Sequence, residues 1–193
     1  MTFTELETPR LRLRKFRESD FAAVHSWASD QENLRYMLFD PHTADDTRGF
    51  IRFAIAAAEA APCVNAQYII EARDSGAVAG GAGLSLSDDM DGGGITQPIF
   101  ELGWILLRGA QGLGFATEAA CELTRFAFDE QHAATVTATC DAENVRSYRV
   151  MERLGMRLFP EIKRKRRGSV LLGYAERDEL FYAVTREQYY LSH

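Results

Sequence analysis

The stretch that decides the fold reads Trp104-Ile-Leu-Leu-Arg108-Gly-Ala-Gln111-Gly-Leu-Gly114-Phe-Ala116-Thr-Glu-Ala119. It starts inside an apolar run, residues 99–107, which is interrupted by Glu101 and predicts a buried strand. It ends in a segment whose apolar residues recur at helical spacing. A strand that passes through glycines into a helix is suited to anions, because free N–H groups and the positive helix end converge there. The stretch therefore predicts a phosphate-binding loop.

Three kinds of phosphate loop can be compared with this stretch. A Walker A loop requires Lys after its second glycine, but Phe115 follows Gly114. A dinucleotide fingerprint requires a third glycine where Thr117 stands. The pattern Gln-x-x-Gly-x-Ala is matched by Gln111, Gly114 and Ala116. The third kind of loop is therefore favoured.

The loop and a second motif resemble the same protein superfamily. The pattern Gln-x-x-Gly-x-Ala resembles the acyl-CoA pyrophosphate loop of the GNAT N-acetyltransferase superfamily. The segment Asn144-Val-Arg-Ser147-Tyr-Arg-Val-Met-Glu152-Arg-Leu-Gly155-Met156 resembles its Asn-x-x-Ser followed by Glu-(Lys/Arg)-Leu-Gly-(Phe/Met). The branch of ribosomal-protein N-terminal (alanine/serine) acetyltransferases has segments that are similar to Thr8-Pro-Arg-Leu-Arg-Leu-Arg14 and Phe100-Glu-Leu-Gly-Trp104. The resemblance extends from about residue 8 to residue 189.

The resemblance implies an α+β fold with a central mixed, mostly antiparallel sheet. The sheet would be splayed at the acyl-CoA cleft and covered by helices on both faces. It also implies acetyl-CoA as co-substrate. Arg108 is either a secondary contact to a CoA phosphate or a solvated arginine of the loop. The residues that it assigns to acetyl-CoA are Trp104, Ile105, Leu106, Gln111, Gly112, Leu113, Gly114, Phe115, Ala116, Thr117, Asn144 and Ser147. The competing interpretations are core residues for the strand, an ordinary strand-to-helix turn for the loop and an N-cap for Asn144.

The resemblance further implies direct transfer of acetyl to a primary amine, with a protein or peptide N-terminus as acceptor. Glu101 would be the general base, unless it is an outward-facing residue on a half-exposed strand. Ser147 would be the general acid, with Tyr148 as its rival. Polyamines, antibiotics and amino acids are alternative acceptors, and a noncatalytic CoA sensor is the alternative from another class. An α-amine, with a pKa of about 7.7 to 8.0, is the easier acceptor for a weak base.

Composition limits the other classes of function. The 193 residues include 22 Lys and Arg against 28 Asp and Glu, a net charge of −6 that argues against general nucleic-acid binding. The 46% hydrophobic content fits one domain, residues 1–193. No membrane-spanning run or export signal is visible, so a cytoplasmic location is expected. Three cysteines without a CxxC pair and histidines without ligand spacing predict no metal site.

The remaining chain predicts the elements around the loop. Period-two alternation predicts a strand over residues 10–16, and Ser19 is a candidate cap of a first helix. Thr43 and Asp46 resemble the capping box of a second helix, one face of which carries Phe50, Phe53, Ala54, Ala57 and Ala58. Residues 67–73 and 77–87 predict a hairpin, and residues 134–140, 156–162 and 178–185 predict further strands. Helices are predicted over residues 115–131 and 145–154. In the second, the spacing of Tyr148 with Met151 and Leu154 indicates that Tyr148 faces the core, and Gly155 is predicted as a left-handed C-cap. The basic run at residues 163–167 is either a solvated hairpin tip or a contact for an acidic partner.

Two expectations concern partners. Asp88, Asp89 and Asp91 would either steer a cationic acceptor, such as a basic protein N-terminus, or keep an exposed loop soluble. A homodimer is compatible with the resemblance.

Overall fold

The computed structural model describes residues 1–87, 98–162, 164–167 and 176–192. Asp88, Asp89 and Asp91 therefore lie outside the described residues. Within these ranges the strands are β1 (Leu6–Glu7), β2 (Leu11–Arg14), β3 (Asn65–Ala72), β4 (Val78–Ser87), β5 (Ile99–Leu106), β6 (Thr135–Asp141), β7 (Arg157–Leu158), β8 (Arg164–Arg167) and β9 (Glu176–Thr185). The helices are α1 (Phe21–Ala28), α2 (Ala44–Glu59), α3 (Phe115–Asp129), α4 (Val145–Arg153) and α5 (Arg186–Ser192).

The strands form one sheet in the order β1-β2-β3-β4-β5-β6-β9-β7, with β8 also pairing with β9. Every pairing is antiparallel except that of β5 with β6, which α3 connects as a crossover. The predicted hairpin is present as β3 and β4. This mixed, mostly antiparallel sheet confirms the predicted α+β fold.

Helices cover both faces of the sheet. On one face, Leu123 of α3 and Met151 of α4 belong to the larger buried cluster, together with Tyr68 of β3. On the other face, Val24 of α1 and Ala54 of α2 pack in a second cluster with the neighbouring β3 residue, Ile69. Because successive strand residues point to opposite faces, β3 contributes to both clusters. The predicted two-sided arrangement is therefore confirmed.

The sheet opens between β5 and β6. These strands pair from Ile99 with Thr135 to Leu102 with Ala138. Beyond that point β5 continues along β4 to Leu106, whereas β6 continues along β9 to Asp141. Within the described residues, the last part of β5 therefore has β4 on one side and an open edge on the other. This is the predicted splay.

The start of α1 differs from the prediction. Asp20, not Ser19, is its N-cap, after a 3₁₀ turn over Glu18–Asp20. Asp20 is buried because its carboxylate accepts hydrogen bonds from the Arg14 guanidinium at 2.8 and 2.9 Å. The Arg17 N–H donates to the same carboxylate at 2.7 Å. Asp20 thus precedes α1 while its carboxylate pairs with Arg14 of β2, and its side chain makes no capping hydrogen bond to the helix.

Helix α2 begins with the predicted capping box of Thr43 and Asp46. Its buried residues are Thr47, Ile51, Ala54 and Ala58. Phe53, which was predicted to lie on the buried face, is 52% exposed. The buried face of α2 is narrower than its number of apolar residues suggests. Some of its apolar side chains therefore stay exposed to solvent.

Two further differences lie near the C-terminus. The predicted strand over residues 156–162 is limited to Arg157–Leu158. The basic run is not confined to a hairpin tip, because Arg164–Arg167 forms β8 and pairs with β9. Lys165 is exposed and bonds Asp178 at 2.5 Å.

Candidate functional site

The glycine loop between β5 and α3 has the geometry of an anion cradle. Gly112 and Gly114 have φ angles of 80° and 81°, and Gly114 is the N-cap of α3 without a side-chain capping bond. The N–H groups of the first helical turn therefore remain directed at the loop. A Cβ atom added at Gly112 would meet nothing within 4 Å, so the space over the loop is open. Thr117 lies inside the helix, not at its cap.

Residues from the chain start brace this loop. The Arg10 guanidinium donates to Glu118 at 2.6 Å and to the Leu113 carbonyl at 2.9 Å. Thr8 Oγ1 and the Arg10 backbone N–H also donate to Glu118, at 2.6 and 2.9 Å. The Leu113 carbonyl is thereby turned toward Arg10. The sequence motif around Thr8 and Arg10 was recognised by resemblance, but its connection to the loop was not predicted.

This brace predicts a pH-dependent stability. Desolvation raises the pKa of Glu118, but hydrogen bonds from Thr8 and Arg10 outweigh it, and the net pKa lies below the usual 4.5. A carboxylate with a lowered folded-state pKa stabilises the protein above its unfolded-state pKa and loses this contribution as pH falls. We therefore expect Glu118→Gln to lower the melting temperature at pH 7, and the difference from wild type to shrink below about pH 4.5. A difference independent of pH from 3 to 7 would contradict this prediction.

The open edge of β5 presents the backbone of alternate residues. The Leu107 N–H donates to the Ala79 carbonyl at 2.9 Å, so Leu107 is directed to the β4 side. Because backbone groups alternate along a strand, those of Trp104 and Leu106 point to the open side, and those of Ile105 point to β4. The three residues assigned to pantetheine therefore divide into two groups. Trp104 and Leu106 offer backbone hydrogen bonds, whereas Ile105 offers its side chain.

Amide side chains fix the end of this edge. Gln111 Nε2 donates to Asn33 Oδ1 at 2.9 Å, and Asn33 Nδ2 donates to the Leu106 carbonyl at 3.2 Å. Arg146 Nη1 donates to Gln111 Oε1 at 2.7 Å. The loop, the start of α4 and the segment after α1 are thus joined. Asn33 and Arg146 were not predicted, because no local pattern marks them.

Arg108 lies in a different environment from the one expected. It pairs with Asp30 at 2.8 Å and with Glu32, both in the segment after α1. Two carboxylates already offset its positive charge. Its suggested phosphate contact therefore lacks support from the structure.

The second motif forms the start of α4. Asn144 is the N-cap, and its Oδ1 accepts a hydrogen bond from the Ser147 N–H at 3.2 Å. Tyr148 packs against the larger hydrophobic cluster. The structure thus confirms the cap and directs Tyr148 to the core, as the sequence indicated. The side chain of Ser147 is half-buried.

A cavity of about 490 Å³ lies between β4, β5 and the first two helices. Glu101, Gly103 and Ile105 of β5 line it, together with aromatic side chains such as Trp27 and Phe50. Glu101 is half-buried, and Thr139 Oγ1 donates to its Oε1 at 3.4 Å. The structure therefore places Glu101 at a cavity next to the open edge of β5.

His42 also lines the cavity but was considered in the sequence only as a metal ligand. Its Nδ1 is buried and has no hydrogen-bond partner among the described residues. Burial lowers its pKa below the usual 6.5, so the imidazole is neutral at pH 7. The cavity thus has a neutral polar group besides the carboxylate.

Two other kinds of feature are absent from the described ranges. Their His, Cys, Asp and Glu side chains form no group of three suited to a metal ion. None of their helices combines the length and apolar character needed to cross a bilayer.

Comparisons with known proteins agree with this geometry. The family model described as an acetyltransferase (GNAT) domain matches residues 10–157. The chain is 28% identical over 185 residues to YnaD of Bacillus subtilis (strain 168), an uncharacterized N-acetyltransferase, covering 95% of this chain and 98% of YnaD.

Two solved structures show the same fold. A GNAT-family acetyltransferase from Bacillus anthracis is 27% identical, with a TM-score of 0.73 and coverage of 95% of this chain and 99% of that one. Mycobacterium smegmatis RimJ, in complex with CoA-disulfide, is 21% identical, with a TM-score of 0.74 and coverage of 92% and 83%. The family match, the splayed sheet and the glycine cradle together establish that this chain belongs to the GNAT acetyltransferase family and is an acyltransferase.

Proposed function

We propose that this protein transfers acetyl from acetyl-CoA directly to the α-amine of a protein or peptide N-terminus. One observation carries the proposal: the open edge of β5 meets a cavity that contains Glu101. Glu101 and Gly103 lie on the same strand face, roughly 7 Å apart along the strand. A donor on the edge and an acceptor in the cavity would therefore meet near Gly103 and Trp104.

The residues present fit acetyl-CoA. The cradle at Gly112 and Gly114 has room for a pyrophosphate, which the N-terminus of α3 would stabilise. The backbone groups of Trp104 and the N–H group of Leu106 would pair with the pantetheine arm, since the Leu106 carbonyl already accepts a hydrogen bond from Asn33. Acetyl-CoA would supply the thioester carbonyl carbon that the amine attacks.

The remaining steps belong to this chain. An N–H group of Trp104 or Leu106 would donate to the carbonyl oxygen, which gains negative charge as the amine attacks. Glu101 would accept the proton that the amine loses as the C–N bond forms. Ser147 would donate a proton to the sulfur as the C–S bond breaks. Cys140 is buried at the end of β6, which suits direct transfer better than an acyl-enzyme.

The choice of an N-terminus rests on the resemblance and on proton chemistry. A lysine amine, with a pKa of about 10.4, is less than roughly 0.1% neutral at pH 7, whereas an α-amine is on the order of 10% neutral. Among the described lining residues, Glu101 is the one carboxylate. A single base of this kind suits an amine that is already partly neutral.

The test is acetyl-CoA consumption with a panel of peptides, polyamines, aminoglycoside antibiotics and amino acids. We expect CoA release with peptides and acetylation at the α-amine, located by mass spectrometry of the product. Acetylation of a polyamine or an antibiotic in preference to every peptide would assign the small-molecule function. Binding of CoA without acetylation of any amine would favour the sensor.

The general acid has a direct test of its own. We expect Ser147→Ala to lower kcat by roughly tenfold or more, because proton donation in the transition state is lost. Tyr148→Phe is the matched control and should keep its kcat, because the Tyr148 ring packs against the core. Steady-state kinetics with a peptide acceptor gives both values, and CoA titration checks that the cofactor still binds. The reverse pattern would assign the proton to Tyr148.

A further inference from the structure

We propose that the cavity beside Glu101 selects peptides whose first residue has a large apolar side chain, such as Phe or Leu. This inference rests on the proposed function, since it names the substrate class of the same site. It follows from the shape of the cavity, from the chemistry of its walls and from its charge.

The walls are aromatic. Phe16, Trp27, Phe39 and Phe50 line the cavity, and Met37 adds a flexible apolar side chain. Trp27 and Phe16 are themselves buried in the cluster under α1 and α2. Such walls form contacts with an apolar group and offer little to a polar one. A Ser or Gly first residue would leave much of this surface unfilled.

Three glycines, Gly81, Gly83 and Gly103, form part of the cavity floor. Gly81 and Gly83 of β4 face Ile105 and Gly103 of β5 as strand partners, and all four line the cavity. A Cβ atom at Gly103 would meet nothing within 4 Å, so the space above it is empty. At Gly83 the Gln67 side chain lies over the backbone, at 2.8 Å from such a Cβ atom. The missing side chain at Gly103 therefore leaves room for a group of the acceptor, whereas a Cβ atom at Gly81 would already lie 3.5 Å from Trp27 and 3.8 Å from Phe16.

The charge of the cavity fits one ammonium group. Among the described lining residues there is one acid, Glu101, and no Lys or Arg. A polyamine carries further ammonium groups that would need further carboxylates here, and a free amino acid carries a carboxylate that would need a cation. The neutral His42 supplies neither. A peptide N-terminus needs a single carboxylate, because its chain continues as neutral amides.

The first experiment compares peptides with one common tail and Phe, Leu, Ser, Gly or Asp as first residue. We expect kcat/KM for the Phe and Leu peptides to exceed that for the Gly peptide by roughly ten- to a hundredfold, the range for filling an apolar pocket. Equal values, or a preference for Ser, Gly or Asp, would overturn the inference but leave N-terminal acetylation standing. Two free amines complete the set: if 2-phenylethylamine outperforms the Phe peptide, or spermidine outperforms every peptide, the peptide assignment fails.

The second experiment reads binding without turnover. The chain contains two Trp residues: the Trp27 ring lies in the cluster at the cavity, whereas the Trp104 ring packs against the larger cluster on the other face of the sheet. The intrinsic fluorescence of Trp27 therefore reports whether the cavity is occupied. This signal is available even if the protein acetylates none of the peptides. We expect the titration midpoint of the Phe peptide to be at least tenfold lower in concentration than the midpoint of the Gly peptide. Equal titration midpoints would overturn the inference, whereas absent turnover with this preference intact would overturn only the proposed function.

The third experiment fills the cavity with a side chain. Gly103→Leu places a side chain in the open space, and its φ lies outside the left-handed region, so the backbone tolerates the change. We expect this variant to lose most of the Phe over Gly preference while CoA affinity is kept. Gly49→Leu on α2 is the matched control, because a Cβ atom there also meets nothing within 4 Å and Gly49 does not line the cavity. An unchanged preference in Gly103→Leu would contradict the inference.

Discussion

Gly114→Asp should lower CoA affinity by at least about a hundredfold, which corresponds to about 2.7 kcal/mol. The reason is the position of Gly114 at the N-cap of α3, where a carboxylate would occupy the phosphate cradle and repel the pyrophosphate. The fold should survive, because Asp tolerates a left-handed φ better than most residues. The nearest atom to an added Cβ is an Arg10 guanidinium nitrogen at 3.3 Å, which would attract the new carboxylate. Isothermal titration with CoA gives the affinity.

Gly76→Asp is the control for this prediction. Gly76 has a φ of 69° in the turn between β3 and β4, and an added Cβ there meets nothing within 4 Å. It therefore imposes the same new charge and the same backbone conformation away from the loop. We expect its CoA affinity to match wild type and its melting temperature to match that of Gly114→Asp within a few degrees. Wild-type affinity in a folded Gly114→Asp variant would reject the loop as the CoA site.

Glu101→Gln should reduce kcat by about 10²-fold with a peptide acceptor, since the amide cannot accept the proton of the attacking amine. CoA affinity should stay near wild type, because Glu101 points into the acceptor cavity while the pyrophosphate cradle begins beyond β5. The residual rate should rise with pH as more of the peptide amine becomes neutral. Stopped-flow detection of CoA thiol release over pH 6 to 9 measures this.

Glu59→Gln serves as the matched control. It makes the same chemical change at the exposed end of α2, on a residue that does not line the acceptor cavity. Its rate and pH profile should follow wild type. If Glu101→Gln also retains the wild-type rate at every pH, another group takes the proton and Glu101 only lines the cavity.

Much of the fold was predictable because its signals are local. The capping box of Thr43 and Asp46, the hairpin of β3 and β4, and the left-handed Gly155 that follows α4 all depend on residues close in sequence. The glycine loop belongs to the same class, since its geometry follows from Gly112 and Gly114. These features were predicted, and the structure contains them.

What could not be predicted depends on partners distant in sequence. Asp20, and not Ser19, precedes α1, and its carboxylate pairs with the buried Arg14 of β2. Phe53 is exposed because the sheet covers a narrower stripe of α2 than the apolar residues occupy. The roles of Asn33 and His42 appear only when the segment after α1 is placed over β5 and the cavity. Sequence patterns record periodicity and caps, but they carry no signal for contacts of this kind.

The brace of Arg10 on Glu118 has a consequence for how the protein assembles. These residues are 108 positions apart, so their hydrogen bonds close a long stretch of chain and form only when β2 has docked beside the folded α3 region. We therefore expect the loop that this brace holds to become ordered after the local hairpin of β3 and β4. A ligand that binds the loop only when this closure is complete would shift the population toward the closed state by mass action. A chain in which Arg10 has not reached Glu118 would keep the local hairpin of β3 and β4 but lack the hydrogen bonds that hold the loop, so retention of such a ligand would report that folding is complete.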